Sequence, residues 1–151
     1  MATAQNGIDS QDGSAVELSS DSQTTSKSEF KFTDGLTLEN LRQMQVDFID
    51  KRNWDQFHSP RNVLLALVGE IGELAEIFQW KGEVTEGLPE FTEREKDQVG
   101  QEMSDVLLYL VDLANKCHID LPLAVKAKME QNGRKYPVDK AYGRANKYTD
   151  L

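Results

Sequence analysis

SPRNVLLALVGEIGELAEIFQW, residues 59–80, decides the fold. Ser59 followed by Pro60 is a helix start: the hydroxyl serves as N-cap, and proline at the first helical position loses no N–H that the helix would use. Behind it Leu64, Leu67, Val68, Ile71, Leu74, Ala75 and Phe78 return at intervals of three and four, the stripe of a helix with one buried face, which the spacing carries to about Trp80. Upstream, Asn53 to His58 reads as a connector. Before it Leu38, Leu41, Met44, Val46, Phe48 and Ile49 keep a helical period behind Thr37, predicting a helix to about Arg52. Downstream, Gly82, Gly87 and Pro89 break the pattern and mark Gly82 to Phe91 as a loop. Thr92 and Glu95 then form a capping box, and Val99, Met103, Val106, Leu107, Leu110, Leu113 and Ala114 predict a third helix to about Lys116. Asp120-Leu-Pro122 opens a fourth helix that ends near Gly133 to Tyr136, because Pro137 disfavours helix at the residue before it. No stretch alternates as a strand does. The expected class is all-α with four helices and no internal repeat.

The 151 residues suffice for one domain. Residues 1–35 are rich in Ser and Asp and carry no periodic apolar face, so they are expected to stay disordered. The folded unit is then 36–137, with 138–151 an irregular polar tail. Four helices of which two are long provide a modest core, so oligomerisation is expected to complete the bundle. With 17 Lys and Arg against 26 acids, the net charge is −9, which disfavours nucleic acid as a partner. The longest apolar runs, Leu64–Val68 and Val106–Val111, fall far short of the ~20 residues of a membrane helix, so no membrane partner is expected. The N-terminus lacks the order of a signal peptide, and its first 26 residues contain no Lys or Arg. Cys117, the only cysteine, forms no internal disulfide and reads as a passive core residue. The expected location is the cytoplasm, with nucleus and mitochondrion left open.

Chemistry concentrates where carboxylates interrupt apolar helices. Glu70 and Glu73 are three apart on the second helix, and Glu102 and Asp105 three apart on the third, so each pair shares a helical face. Like charges so placed repel, and burial sharpens the penalty. A hard divalent cation offsets both costs, and an all-carboxylate set suits Mg²⁺ or Mn²⁺ rather than zinc. Gly69 and Gly72 each cost about 1 kcal/mol relative to alanine inside a helix, and close approach of another helix or a ligand is the simplest reason for them. The plainer reading is a solvated face whose acids pair with Lys and Arg.

Trp54, Phe57, His58, Trp80 and Tyr109 could stack a flat polar ring, or could equally be ordinary packing; His58 could simply bond locally. Residues 121–151 hold seven Lys or Arg against three acids, so Lys128, Asn132, Arg134 and Lys135 could serve an anion, or merely complement a helix C-terminus. A di-iron carboxylate bundle would need ExxH pairs on helices, and Asp55-Gln-Phe-His58 lies in the connector. A non-catalytic helical interaction module is the other class left open.

An ExxE pair followed after a gap by ExxD, here Glu70, Glu73, Glu102 and Asp105, resembles the MazG-like all-α nucleotide pyrophosphatases. The likeness is closer still to the eukaryotic dCTP-hydrolysing members, through Asn53-Trp-Asp-Gln-Phe-His58, Pro60-Arg-Asn, Leu64 to Glu76, Phe78-Gln-Trp80, Leu121-Pro-Leu-Ala-Val125, Lys128-Met129 and Tyr136-Pro137. It spans about residues 36–149, including Lys147-Tyr-Thr149. The resemblance implies hydrolysis of dCTP and base-modified dCTP, such as 5-methyl-dCTP, to dCMP and pyrophosphate, in the service of nucleotide-pool sanitation. It implies Mg²⁺ held by the four carboxylates and a homotetramer built from dimers with sites between subunits. Gln45, Trp54, Asp55, Gln56, Phe57, His58, Trp80, Tyr109, Lys128 and Asn132 are the substrate-contacting positions it implies. Gln45 stands where a substrate-contacting His is expected in close relatives, and the loop Lys81 to Glu90 differs. Base preference is not fixed by an aromatic pocket alone, so a dUTP or dTTP pyrophosphatase of the same family is the alternative within the class.

Overall fold

The computed structural model describes residues 30–145. The chain divides into two units, Met1–Phe32 and Thr33–Leu151. Within the first, the Phe30 and Phe32 rings meet edge-on at 5.6 Å. The tail expected over 1–35 lies outside the described residues as far as 29, as do Lys147-Tyr-Thr149; residues 33–37 are exposed and irregular, with a turn at Asp34-Gly35.

In the second unit the described residues are helical, with no strand among them. Helix α1 spans Leu38–Asp50, α2 Pro60–Gln79, α3 Glu93–Lys116 and α4 Leu121–Lys135; a 3-10 turn occupies Asp55–Phe57, and one further helical turn, α5, covers Val138–Ala141 where an irregular tail was expected. Each long helix begins at the residue its sequence marks. Thr37 and Asn40 exchange side chain-to-backbone bonds at 3.1 Å in both directions, and Thr92 and Glu95 do the same at 2.8 and 3.3 Å. The Ser59 hydroxyl accepts from the Asn62 N–H, and the Asp120 carboxylate from the Leu123 N–H. These bonds occupy amide donors that a helix start leaves unpaired.

Among the described residues the core is small: Ile49, Val63, Leu67, Phe91, Val99 and Val111, with one buried acid, Asp112. Helices α2 and α3 form the main pair, α1 packs on α3, and α4 makes no comparably extensive contact. Here the structure corrects the sequence. Of the α2 stripe only Leu67 is buried, whereas Leu64, Val68 and Ile71 are exposed; on α3, Met103, Leu107 and Leu110 are exposed as well. One chain offers α2 a single partner helix, so only part of each stripe finds cover. Nothing lies within 4 Å of a Cβ built at Gly69 or Gly72, so among the described residues no other helix makes the close approach expected there. Cys117, expected in the core, is exposed at the C-cap of α3. Among the described residues no helix is long and apolar enough to cross a membrane.

The loop between α2 and α3 is tied down at its base. Phe91 is buried with its ring 5.2 Å from that of Phe78. The Lys81 ammonium donates to Glu95 at 2.6 Å and sits over the Phe91 ring.

Candidate metal centre

The packing of α2 on α3 brings two acidic pairs from different helices face to face. Carboxylate oxygens of Glu70, Glu102 and Asp105 lie within 4.8 Å of one another. At 4 Å two unit charges repel by about 1 kcal/mol in bulk water and about 4 kcal/mol at an effective dielectric of 20. None of the three is paired with Lys or Arg among the described residues, which sets aside the solvated, ion-paired face. Burial pushes the Glu70 carboxyl above its ordinary value, and the charges of Glu73, Asp105 and Glu102 push it further. Three unneutralised oxygen donors from two helices fit a hard divalent cation, which would relieve both the repulsion and the desolvation. Glu73, one turn further along α2, is exposed and acts on Glu70 by its charge, but its oxygens lie outside the group of three.

One turn from this cluster is a cleft of about 220 Å³ lined by Phe57, His58, Asn62, Val63, Ala66 and Tyr109. Tyr109 joins the two features. It lies on α3 four residues after Asp105, and burial followed by the charges of Glu70, Asp105 and Asp112 raises the pKa of its hydroxyl. His58, read from the sequence either as a substrate contact or as bonding locally, reaches α3: its Nδ1 is 2.8 Å from Oδ2 of Asp112. Two residues of this site were missed from the sequence. Asn62 donates to the Phe57 carbonyl at 3.0 Å and lines the cleft. Asp112 had one signal, a lone acid inside the apolar run 106–114.

The other expected contact residues are not among those lining the cleft. Trp54 is half exposed, its ring 6.0 Å from that of Phe48. Asp55 pairs with Lys116 on α3, and Gln56 donates to the Asn53 carbonyl. Gln45 is half-buried on α1. Trp80 is 82% exposed at the end of α2. On α4, Lys128 donates to Gln131, while half-buried Asn132 accepts the Tyr136 N–H through its carbonyl.

The chain is similar to known proteins. Residues 66–151 match the MazG-like family. The chain is 51% identical over 128 residues to dCTP pyrophosphatase 1 of Bos taurus, covering 85% of this chain and 76% of that protein. It is 49% identical over 128 residues to dCTP pyrophosphatase 1 of Homo sapiens, covering 85% and 75%. The crystal structure of a pyrophosphatase from Archaeoglobus fulgidus superposes with a TM-score of 0.60 at 39% identity, covering 71% of this chain and 99% of that one.

Proposed function

Because the chain belongs to the MazG-like family, we propose that it is a Mg²⁺-dependent dCTP pyrophosphatase, hydrolysing dCTP and base-modified dCTP to dCMP and pyrophosphate. The observation that carries the reading is the convergence of Glu70, Glu102 and Asp105 within 4.8 Å, one turn from an aromatic cleft. Glu70, Glu102 and Asp105 would hold the ion, with Glu73 as the fourth ligand; Mn²⁺ suits the same oxygens. When bound, the ion would supply charge neutralisation to the phosphates and would lower the pKa of water at the site. By holding it, the carboxylates would set where the triphosphate chain lies. Water attacks the α-phosphorus in line, the bond to the α–β bridging oxygen breaks, and a carboxylate not fully engaged takes the water's proton, Glu70 and Glu73 being the two candidates. Phe57, His58 and Tyr109 receive the base in the cleft.

A homotetramer built from dimers belongs to this reading. Its support is the apolar surface left bare on α2, α3 and α4, together with the open space at Gly69 and Gly72. Gln45, Trp54, Trp80, Lys128 and Asn132 do not line the cleft of one chain, and sites between subunits are where this reading puts them to use. A cytoplasmic location fits a nucleotide-pool enzyme with a single unpaired cysteine.

The test is pyrophosphate release from dCTP, 5-methyl-dCTP, dTTP, dUTP, dATP and dGTP, with Mg²⁺ and with EDTA. Mg²⁺-dependent release confined largely to the cytosine nucleotides is expected. Release from all six keeps the enzyme class and removes the base preference; no release from a folded sample favours an interaction module.

A further inference from the structure

Among the described residues Asp112 is the one charged residue in the core, 1% exposed, with a single partner there, the imidazole of His58, and with Oδ1 left without one. A buried carboxylate so poorly satisfied is costly, and an apolar side chain of similar size would serve packing better. Its place on α3 is what distinguishes it. Glu102, Asp105, Tyr109, Asp112 and Lys116 follow one another at intervals of three and four along one face. The first three belong to the metal centre and cleft, and the last two grip the connector: Asp112 holds His58, and Lys116 holds Asp55. The connector is therefore fixed by the same helix face that carries the acids, and His58 lines the cleft beside Tyr109.

We propose that Asp112 is a positioning residue that holds the His58 imidazole with its proton on Nδ1, so that Nε2 meets the base as a hydrogen-bond acceptor. A neutral imidazole carries one proton, and the partner of one ring nitrogen decides which nitrogen has it. The carboxylate is acceptor-only and, among the described residues, has no donor but this ring, so the proton stays on Nδ1, at 2.8 Å from Oδ2. Nε2 has no partner among the described residues. An acceptor in that position pairs with the exocyclic amine of a 4-aminopyrimidine and opposes the carbonyl of a 4-oxopyrimidine, lone pair against lone pair. Cytosine is thereby selected over uracil and thymine. The inference rests on the nucleotide pyrophosphatase reading for its substrate, though not for the state of the ring.

Two measurements test it. Long-range ¹H–¹⁵N spectra of the full chain at pH 8 report the tautomer directly, and with only two histidines present, the variant His118→Asn suffices for assignment. His58 is expected protonated on Nδ1, and Asp112→Asn, whose amide can donate as well as accept, is expected to erode that preference. In the same variant the ratio of kcat/KM for dCTP over dUTP should fall about 10- to 100-fold, through KM for dCTP more than through kcat, since the contact lies away from the reacting phosphorus. A wild-type ring protonated on Nε2 overturns the proposal, as does an unchanged ratio in a folded Asp112→Asn. Should that variant fail to fold, His58→Phe decides: its ring has a similar shape and offers no acceptor, so the ratio must fall, and an unchanged ratio overturns the proposal. Absence of any Mg²⁺-dependent pyrophosphate release by the wild type sinks the parent reading and the base selection with it, while the spectrum still decides whether Asp112 sets the ring.

Discussion

Glu70 shows what the acidic cluster does to a single group. Burial and three neighbouring acids raise its pKa from the ordinary 4.5, so the folded chain holds a proton more tightly than the unfolded chain does. For an acid raised in this way, stability without metal falls as pH climbs from 4.5 through the raised value. Glu70→Gln is therefore expected to melt higher than the wild type at pH 7 in EDTA and to lose the gain that Mg²⁺ gives the wild type, about 2.7 kcal/mol at one hundred times Kd, as thermal denaturation with and without Mg²⁺ will show. Asp105→Asn and Glu73→Gln should each lower turnover by at least about 100-fold with the helical circular dichroism unchanged; activity kept at saturating Mg²⁺ would refute the ligand assignment. Trp80→Ala should weaken dCTP binding in a titration without lowering the melting temperature, its side chain being 82% exposed. The spacing of Glu70, Glu102 and Asp105 within apolar runs was legible because helical periodicity is local. The bond between His58 and Asp112 was not, because it joins residues 54 apart and no periodicity pairs them.

At the scale of the elements, the ends were legible and the covered faces were not. Thr37, Ser59, Thr92 and Asp120 each cap the helix they announce, since a cap needs only its own next few residues. Burial depends on what lies opposite, which explains why Leu64 and Val68 were read as core and stand exposed. Two consequences can be measured. Glu95, held by Lys81 and by the Thr92 cap, has its carboxyl lowered from 4.5 to about 2. A lowered acid stabilises the fold above its unfolded value and loses that contribution as pH falls from 4.5 toward 2. The melting advantage of the wild type over Glu95→Gln should therefore be full at pH 6 and shrink across that window. His118 closes α3 at φ +54, where a β-carbon is strained and glycine is at ease. His118→Gly should raise stability by about 1 kcal/mol in a denaturant titration.

The whole molecule is most informative in what it leaves uncovered. Exposed Leu65, Val68 and Ile71 on α2, Met103 on α3, and Leu123 and Met129 on α4 are more apolar surface than a helical chain with so few fully buried side chains has reason to show water. Light scattering on a size-exclusion column should return a particle of four chains of 17.1 kDa, and a 17.1 kDa particle would remove the tetramer from the proposal. The expectation of a partner copy came from helix count and a modest core, whereas which faces stay bare became visible only once α2 and α3 were seen to spend their contacts on each other. The single face of α3 has a last consequence, for how such a chain can change over generations. Glu102 to Lys116 spans about 21 Å of helix, and one inserted residue would swing everything beyond it by about 100°. Acids, cleft and connector grip would then point in different directions at once. Insertions and deletions should accordingly collect between Gly82 and Glu90, where the chain can lengthen without turning α3, and lineages should differ there while the helix keeps its count.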